Sequence, residues 1–200
     1  MPSRFACDGQ TGTVIFEEKF TGDSGGWVFG ADDGLVLKAP GATLTVGAGE
    51  EGCSEKQLNE TFNATQGDFC MEMSFPADAP QSDADIGVTF LATDYTNLWL
   101  TTVHADGKAE LWKQTNGKYF TVWKAATNNL VKTGPTDVNS VRAAVKNGMI
   151  TVIVNGQTVK SVRAKIPSGD LKFGFVGGYH NPSAKPVSFT VHSYTVTAVE

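Results

Sequence analysis

The chain has 200 residues, of which 40% are hydrophobic and 18% charged, with 22 glycines and a formal net charge of −5. That length suits one folded unit with a sizeable core, and the glycine content favours a turn-rich globule over a coiled coil or a disordered chain. The acidic balance and the lack of Lys/Arg clustering exclude a phosphate-backbone footprint, and no apolar run reaches the roughly 18 residues that a membrane-crossing helix needs.

Residues 1–11 read as an N-terminal extension of a single domain covering 1–200, and Met1-Pro2-Ser3-Arg4 is not followed by the apolar core of a secretory signal. Beyond it, period-two alternation of apolar and polar residues predicts strands at 12–16, 34–37, 42–46, 68–75 and 86–91. Strands at 98–103, 109–113 and 119–123 follow, separated by Asp106-Gly107 and Asn116-Gly117. After a loop-like segment at 128–137, three further strands at 141–145, 149–154 and 158–162 are joined by Asn147-Gly148 and Asn155-Gly156. An Asn-Gly pair between such runs marks a two-residue hairpin, because a type I′ turn needs positive φ at both central positions. Strands at 171–176 and 187–196 complete the chain. With no helical pattern of ten residues and no internal repeat, the fold class is all-β: a two-sheet antiparallel β-sandwich.

Cys7, Cys53 and Cys70 form no C-x-x-C pair and no Cys/His cluster, so zinc ligation by cysteine is not indicated. A Cys53–Cys70 disulfide is the expected pairing and would imply an oxidising compartment; the alternative is three buried small hydrophobes. The triplets Asn59-Glu60-Thr61 and Asn63-Ala64-Thr65 place their segment near the surface.

Polar residues embedded in the strands are the candidates for function. Along 83–90, Ile86, Val88 and Phe90 share one face and read as core, whereas Asp83 and Asp85 share the other. Asp32-Asp33-Gly34 and Asp94-x-x-Asn97 each offer part of a calcium shell, and each also reads as an Asx turn at a strand end. Calcium is possible on this reading, and no other cofactor is expected. His104, His180 and His192 have no metal-ligand spacing, so any site using them must be assembled by the fold. Alternation sets Trp112 beside Glu110 and Gln114, and Trp123 beside Tyr119 and Thr121, a mixture that can stack on sugar rings or pack within a sheet. Arg142 occupies the polar face of its strand, and Tyr179 and His180 lie in a segment that can flank a groove.

The order Ile86-Gly87-Val88-x-Phe90, Asp94-Tyr95-x-Asn97-Leu98-Trp99, Asp106-Gly107, Val141-Arg142-x-x-Val145-Lys146-Asn147-Gly148, Val152-x-Val154-Asn155-Gly156 and Gly174-Phe175 resembles concanavalin A-like jelly-roll domains. Phe16 and Phe20, followed by Gly26-Trp27, extend the likeness, which is greatest to the laminin G-like and 3-keto-disaccharide hydrolase groups. The resemblance implies a concave sheet face as the site. It leaves three functions open: carbohydrate binding, hydrolysis of a glycoside or 3-keto-glycoside, and protein adhesion. Retaining glucanases of this fold carry Glu-x-Asp-x-(x)-Glu on one strand, and the nearest approach here is Asp83-x-Asp85. The leading expectation is a secreted or periplasmic, lectin-like domain whose partner is an oligo- or polysaccharide. Neither nucleic-acid binding nor membrane insertion is expected, and the oligomeric state is left open.

Overall fold

Alternating apolar residues pair into strands almost throughout the chain. The computed structural model describes residues 7, 10–22, 25–28, 35–37, 41–49, 53–75, 84–126, 129–134 and 136–199. Its strands are β1 (Val14–Glu18), β2 (Leu35–Leu37), β3 (Ala42–Val46), β4 (Cys53–Leu58), β5 (Gly67–Ser74), β6 (Ala84–Asp94) and β7 (Asn97–His104). They continue with β8 (Ala109–Thr115), β9 (Lys118–Lys124), β10 (Asn139–Lys146), β11 (Met149–Val154), β12 (Gln157–Arg163), β13 (Lys172–Tyr179) and β14 (Val187–Thr197). No α-helix occurs among the described residues.

The strands form two antiparallel sheets, one in the order β12-β11-β10-β5-β14-β3-β2 with β1 also paired to β14, the other in the order β4-β13-β6-β7-β8-β9. The three Asn-Gly pairs take the expected turn: Asn116, Asn147 and Asn155 have φ of 49°, 50° and 49°, and the glycines after them lie between 74° and 79°. Between the sheets, Ile86, Val88 and Phe90 of β6 are fully buried in one core with Phe69, Met71 and Met73 of β5. Phe16, Trp27, Phe173, Phe175 and Tyr194 close one region of that core, with Trp27 and Phe175 ring centroids 4.9 Å apart. Each such side chain, once buried, contributes roughly 1.5–3 kcal/mol.

Every expected strand is present, and β4 is an addition. Its sequence, CSEKQL, has no apolar alternation because it is an edge strand, bonded on one side to β13 from Cys53↔Tyr179 to Leu58↔Gly174. The expected Cys53–Cys70 disulfide is corrected: Cys70 is bonded to Cys7, with Cα atoms 6.0 Å apart. Cys53 lies on β4 of the six-stranded sheet and Cys70 on β5 of the other, with the core between. Phe69 and Met71 face that core, so Cys70 points outward, where residues 7 and 10 lie on β5. There the Cys7 amide donates to Glu72 Oε1 (3.3 Å) and Gln10 Nε2 donates to the Asp68 carbonyl (2.6 Å). Part of the supposed extension is thus fixed to the sandwich.

Candidate functional site

The six-stranded sheet has one face on the core and the other outward, and its register places each outward side chain. Directly paired residues share a face, which defines rows across the strands. One row runs Gly178, Asp85, His104; the next runs Val176, Gly87, Thr102, Glu110, Lys124. Beyond these come Gly174, Thr89, Leu100, Trp112, Thr121, and then Leu98, Gln114, Tyr119. Leu58, Ala92, Leu98, Leu100 and Val176 form a small apolar cluster on this face, with Trp112 packed against it.

A cleft of about 250 Å³ opens here. Leu100 and Val176 line its floor, Trp112 and Tyr119 one side, and Asp85 and His180 the other. The aromatic side is held firmly: Trp112 and Tyr119 meet edge to face with centroids 6.4 Å apart. Lys56 Nζ donates to Tyr119 Oη at 2.8 Å and to Gln114 Oε1 at 3.2 Å. Lys124 Nζ sits 5.1 Å above the Trp112 ring and 2.9 Å from Glu110 Oε1.

At the polar side, His180 Nε2 lies 3.7 Å from Asp85 Oδ2, and His104 Nε2 lies 3.8 Å from Glu110 Oε2. The two imidazoles stack at 13° with centroids 5.7 Å apart. Asp85, His104 and Glu110 are 8%, 6% and 5% exposed, whereas His180 is exposed. His104 Nε2 and Glu110 Oε2 are buried with no hydrogen-bond partner.

The fold therefore brings together Asp85, Glu110, Trp112, Tyr119 and His180 on one face. Tyr179 borders the cleft, but its ring belongs to the core and its hydroxyl donates to the Gly47 carbonyl. Trp123 is elsewhere. A register shift between Leu111 and Trp112 leaves Val122 unpaired, so Trp112 faces Thr121 while Leu111 faces Trp123. The bulge breaks the alternation and turns Trp123 toward the core, against which it packs. Arg142 is also elsewhere, on the other sheet, where it makes a two-point ion pair with Asp68 (Nε to Oδ1 3.2 Å) and both residues are buried.

Asp94 and Asn97 close the β6–β7 turn. Asp94 Oδ1 accepts from the Thr96 amide and hydroxyl, both at 2.7 Å, and Asn97 Nδ2 reaches both carboxylate oxygens at 3.1 and 3.0 Å. These hydrogen bonds, those of the Thr96 and Asn97 side chains foremost, hold the Asp94 carboxyl down at about 2. Asp83 and the Asp32-Asp33-Gly34 segment lie outside the described residues.

His104 is the residue that strand periodicity does not single out. Continuing the Asp94↔Asn97 pairing along the hairpin without interruption would set Asp85 opposite residue 106. A bulge between Phe90 and Asp94, where Leu91 takes φ of 52°, shifts the register by two and sets Asp85 opposite His104.

An eight-stranded and a six-stranded antiparallel sheet packed face to face in this order make a concanavalin A-like jelly roll. Solved structures share it. The β-glucanase of Bacillus licheniformis superposes with a TM-score of 0.65 at 13% identity, over 95% of this chain and all (100%) of that one. The laminarinase catalytic domain of Thermotoga maritima MSB8 gives 0.68 at 8% identity, over 96% and 100%. The carbohydrate-binding module CBM66 of Bacillus subtilis gives 0.59 at 12%, over 94% and 97%. Identities this low establish the fold alone. No protein-family model matches the sequence, and no curated protein matches it.

Proposed function

We propose that the chain is a carbohydrate-binding β-sandwich that takes an oligo- or polysaccharide in the cleft on the outer face of the six-stranded sheet. The observation that carries this reading is the joining, in one cleft, of an aromatic edge, an apolar floor and a polar side. Trp112 and Tyr119 offer flat surfaces for the C–H face of a sugar ring, while Asp85, His180 and Lys56 offer hydrogen bonds to hydroxyls. The names of the structures of like fold, a carbohydrate-binding module and two glucan hydrolases, support the same class of ligand. The Cys7–Cys70 disulfide supports a secreted or periplasmic location, since such bonds persist in oxidising compartments.

The test is a titration of a glycan panel followed by tryptophan fluorescence. Trp112→Ala is expected to weaken binding by at least about tenfold, or roughly 1.4 kcal/mol, with an unchanged far-UV spectrum. Equal affinity in the variant and the parent sinks the assignment.

A hydrolase reading has one observation in its favour: two carboxylates, Asp85 and Glu110, stand on this face on either side of β7. Hydrolysis of a glycoside would need one of them to protonate the leaving oxygen and the other to act as nucleophile or base. Under this reading Asp85→Asn and Glu110→Gln retain sugar binding and lose product release. Absence of any product from the parent protein leaves binding alone.

A further inference from the structure

We infer that Asp85, His104 and His180 form a binding site for a divalent transition-metal ion of the zinc type at the polar side of the cleft. Asp85 and His104 are 19 residues apart in sequence, and His104 and His180 are 76 apart. Adjacency of β13, β6 and β7 brings them together. Gly178, Asp85 and His104 are in register, and His180 follows the last residue of β13.

One donor atom from each lies within 4.8 Å of the others, and His180 Nε2 and Asp85 Oδ2 are already 3.7 Å apart. Bonds of roughly 2.0–2.2 Å around a zinc-type ion set neighbouring donors about 3.3 Å apart, so small rotations suffice. His180 is exposed and can make them, while the buried Asp85 and His104 hold the other two positions. Two imidazoles with one carboxylate select a borderline transition ion over calcium, which prefers oxygen throughout.

A second observation points the same way. Buried polar atoms are nearly always partnered, yet His104 Nε2 and Glu110 Oε2 are both buried without a hydrogen bond. These two atoms face each other at 3.8 Å, beyond hydrogen-bond reach, beside the cluster, and His104 is only 6% exposed. Ligation of His104 through Nδ1 would leave Nε2–H directed at Glu110 Oε2, 3.8 Å away, as the acid that supports a ligated imidazole. Three protein donors leave coordination positions toward the cleft for water or for oxygen atoms of a bound ligand.

The experiment uses the chain with its disulfide intact, without a polyhistidine tag, and freed of metal by chelator. Calorimetric titration with Zn²⁺ is expected to show one ion per chain, and Co²⁺ is expected to give visible ligand-field absorption. His180→Ala and Asp85→Asn are each expected to weaken Zn²⁺ binding by more than about 100-fold, beyond the range for loss of a merely supporting residue. Matching near-UV circular dichroism establishes that both variants are folded. His192→Gln, remote from the cluster, should bind as the parent does. Absence of stoichiometric binding, parental affinity in both cluster variants, loss of binding in His192→Gln, or saturation by Ca²⁺ in place of Zn²⁺ would each overturn the site. The titration contains no glycan, so its result and that of the sugar panel are independent.

Discussion

Asp94 shows how much a single exposed carboxylate can do for a turn. Its oxygens accept from Thr96 and Asn97, and those bonds depress its pKa from 3.8 to about 2. A folded-state pKa below the unfolded one stabilises above the unfolded value, and that stabilisation is lost as pH falls through about 2. Because the carboxylate is exposed, solvent screening leaves about 0.5–1 kcal/mol of this stabilisation. Asp94→Ala should therefore lower urea stability by about that amount at pH 7, with the difference shrinking toward zero near pH 2. The Arg142–Asp68 pair is a contrasting case, since both groups are buried. Arg142→Met leaves Asp68 without its partner and should cost about 3–5 kcal/mol in the same assay, without altering any sugar affinity.

At the scale of the strand, bulges and close contacts arrange the site. The β9 bulge separates two tryptophans that strict alternation would set on one face, so they are expected to behave differently. Trp123→Ala should reduce stability by about 2 kcal/mol and spare the cleft, whereas Trp112→Ala should do the reverse. Gly87 lies in the middle of β6, and a Cβ there would meet the Thr101 carbonyl oxygen at 1.8 Å. No side-chain rotation relieves a contact with backbone, so Gly87→Ala has to spread β6 from β7, the two strands that carry Asp85 and His104. A loss of about 3 kcal/mol is expected, read as a lowered urea midpoint, together with loss of Zn²⁺ binding.

At the scale of the molecule, the Cys7–Cys70 bond links the N-terminal segment to a central strand across 63 residues. A loop of that length constrains the unfolded chain by about 4 kcal/mol in the chain-entropy account. Reduction, or Cys7→Ser, should lower the denaturation midpoint accordingly, and an unchanged midpoint would show that the segment adds nothing to stability. The six-stranded sheet gains from this indirectly, since the cross-link anchors the opposite layer on which it packs.

Local pattern was enough for much of this architecture. Alternation at Ile86, Val88 and Phe90 and the Asn-Gly pairs at 116, 147 and 155 specify strands, faces and hairpins, because side-chain period and turn dihedrals depend on neighbouring residues alone. Several site residues, Asp85, Trp112, Tyr119 and His180, were also within reach, as polar or aromatic groups on strand faces and in flanking loops. What depended on the folded chain was long-range pairing. Insertion of β13 between β4 and β6 brings His180 to Asp85, and the β6 bulge brings His104 opposite it. Docking of the N-terminal segment on the outside of β5 selects Cys7 over Cys53. No local periodicity encodes these arrangements, because each is the outcome of which distant strands pack together and where a ladder admits extra residues.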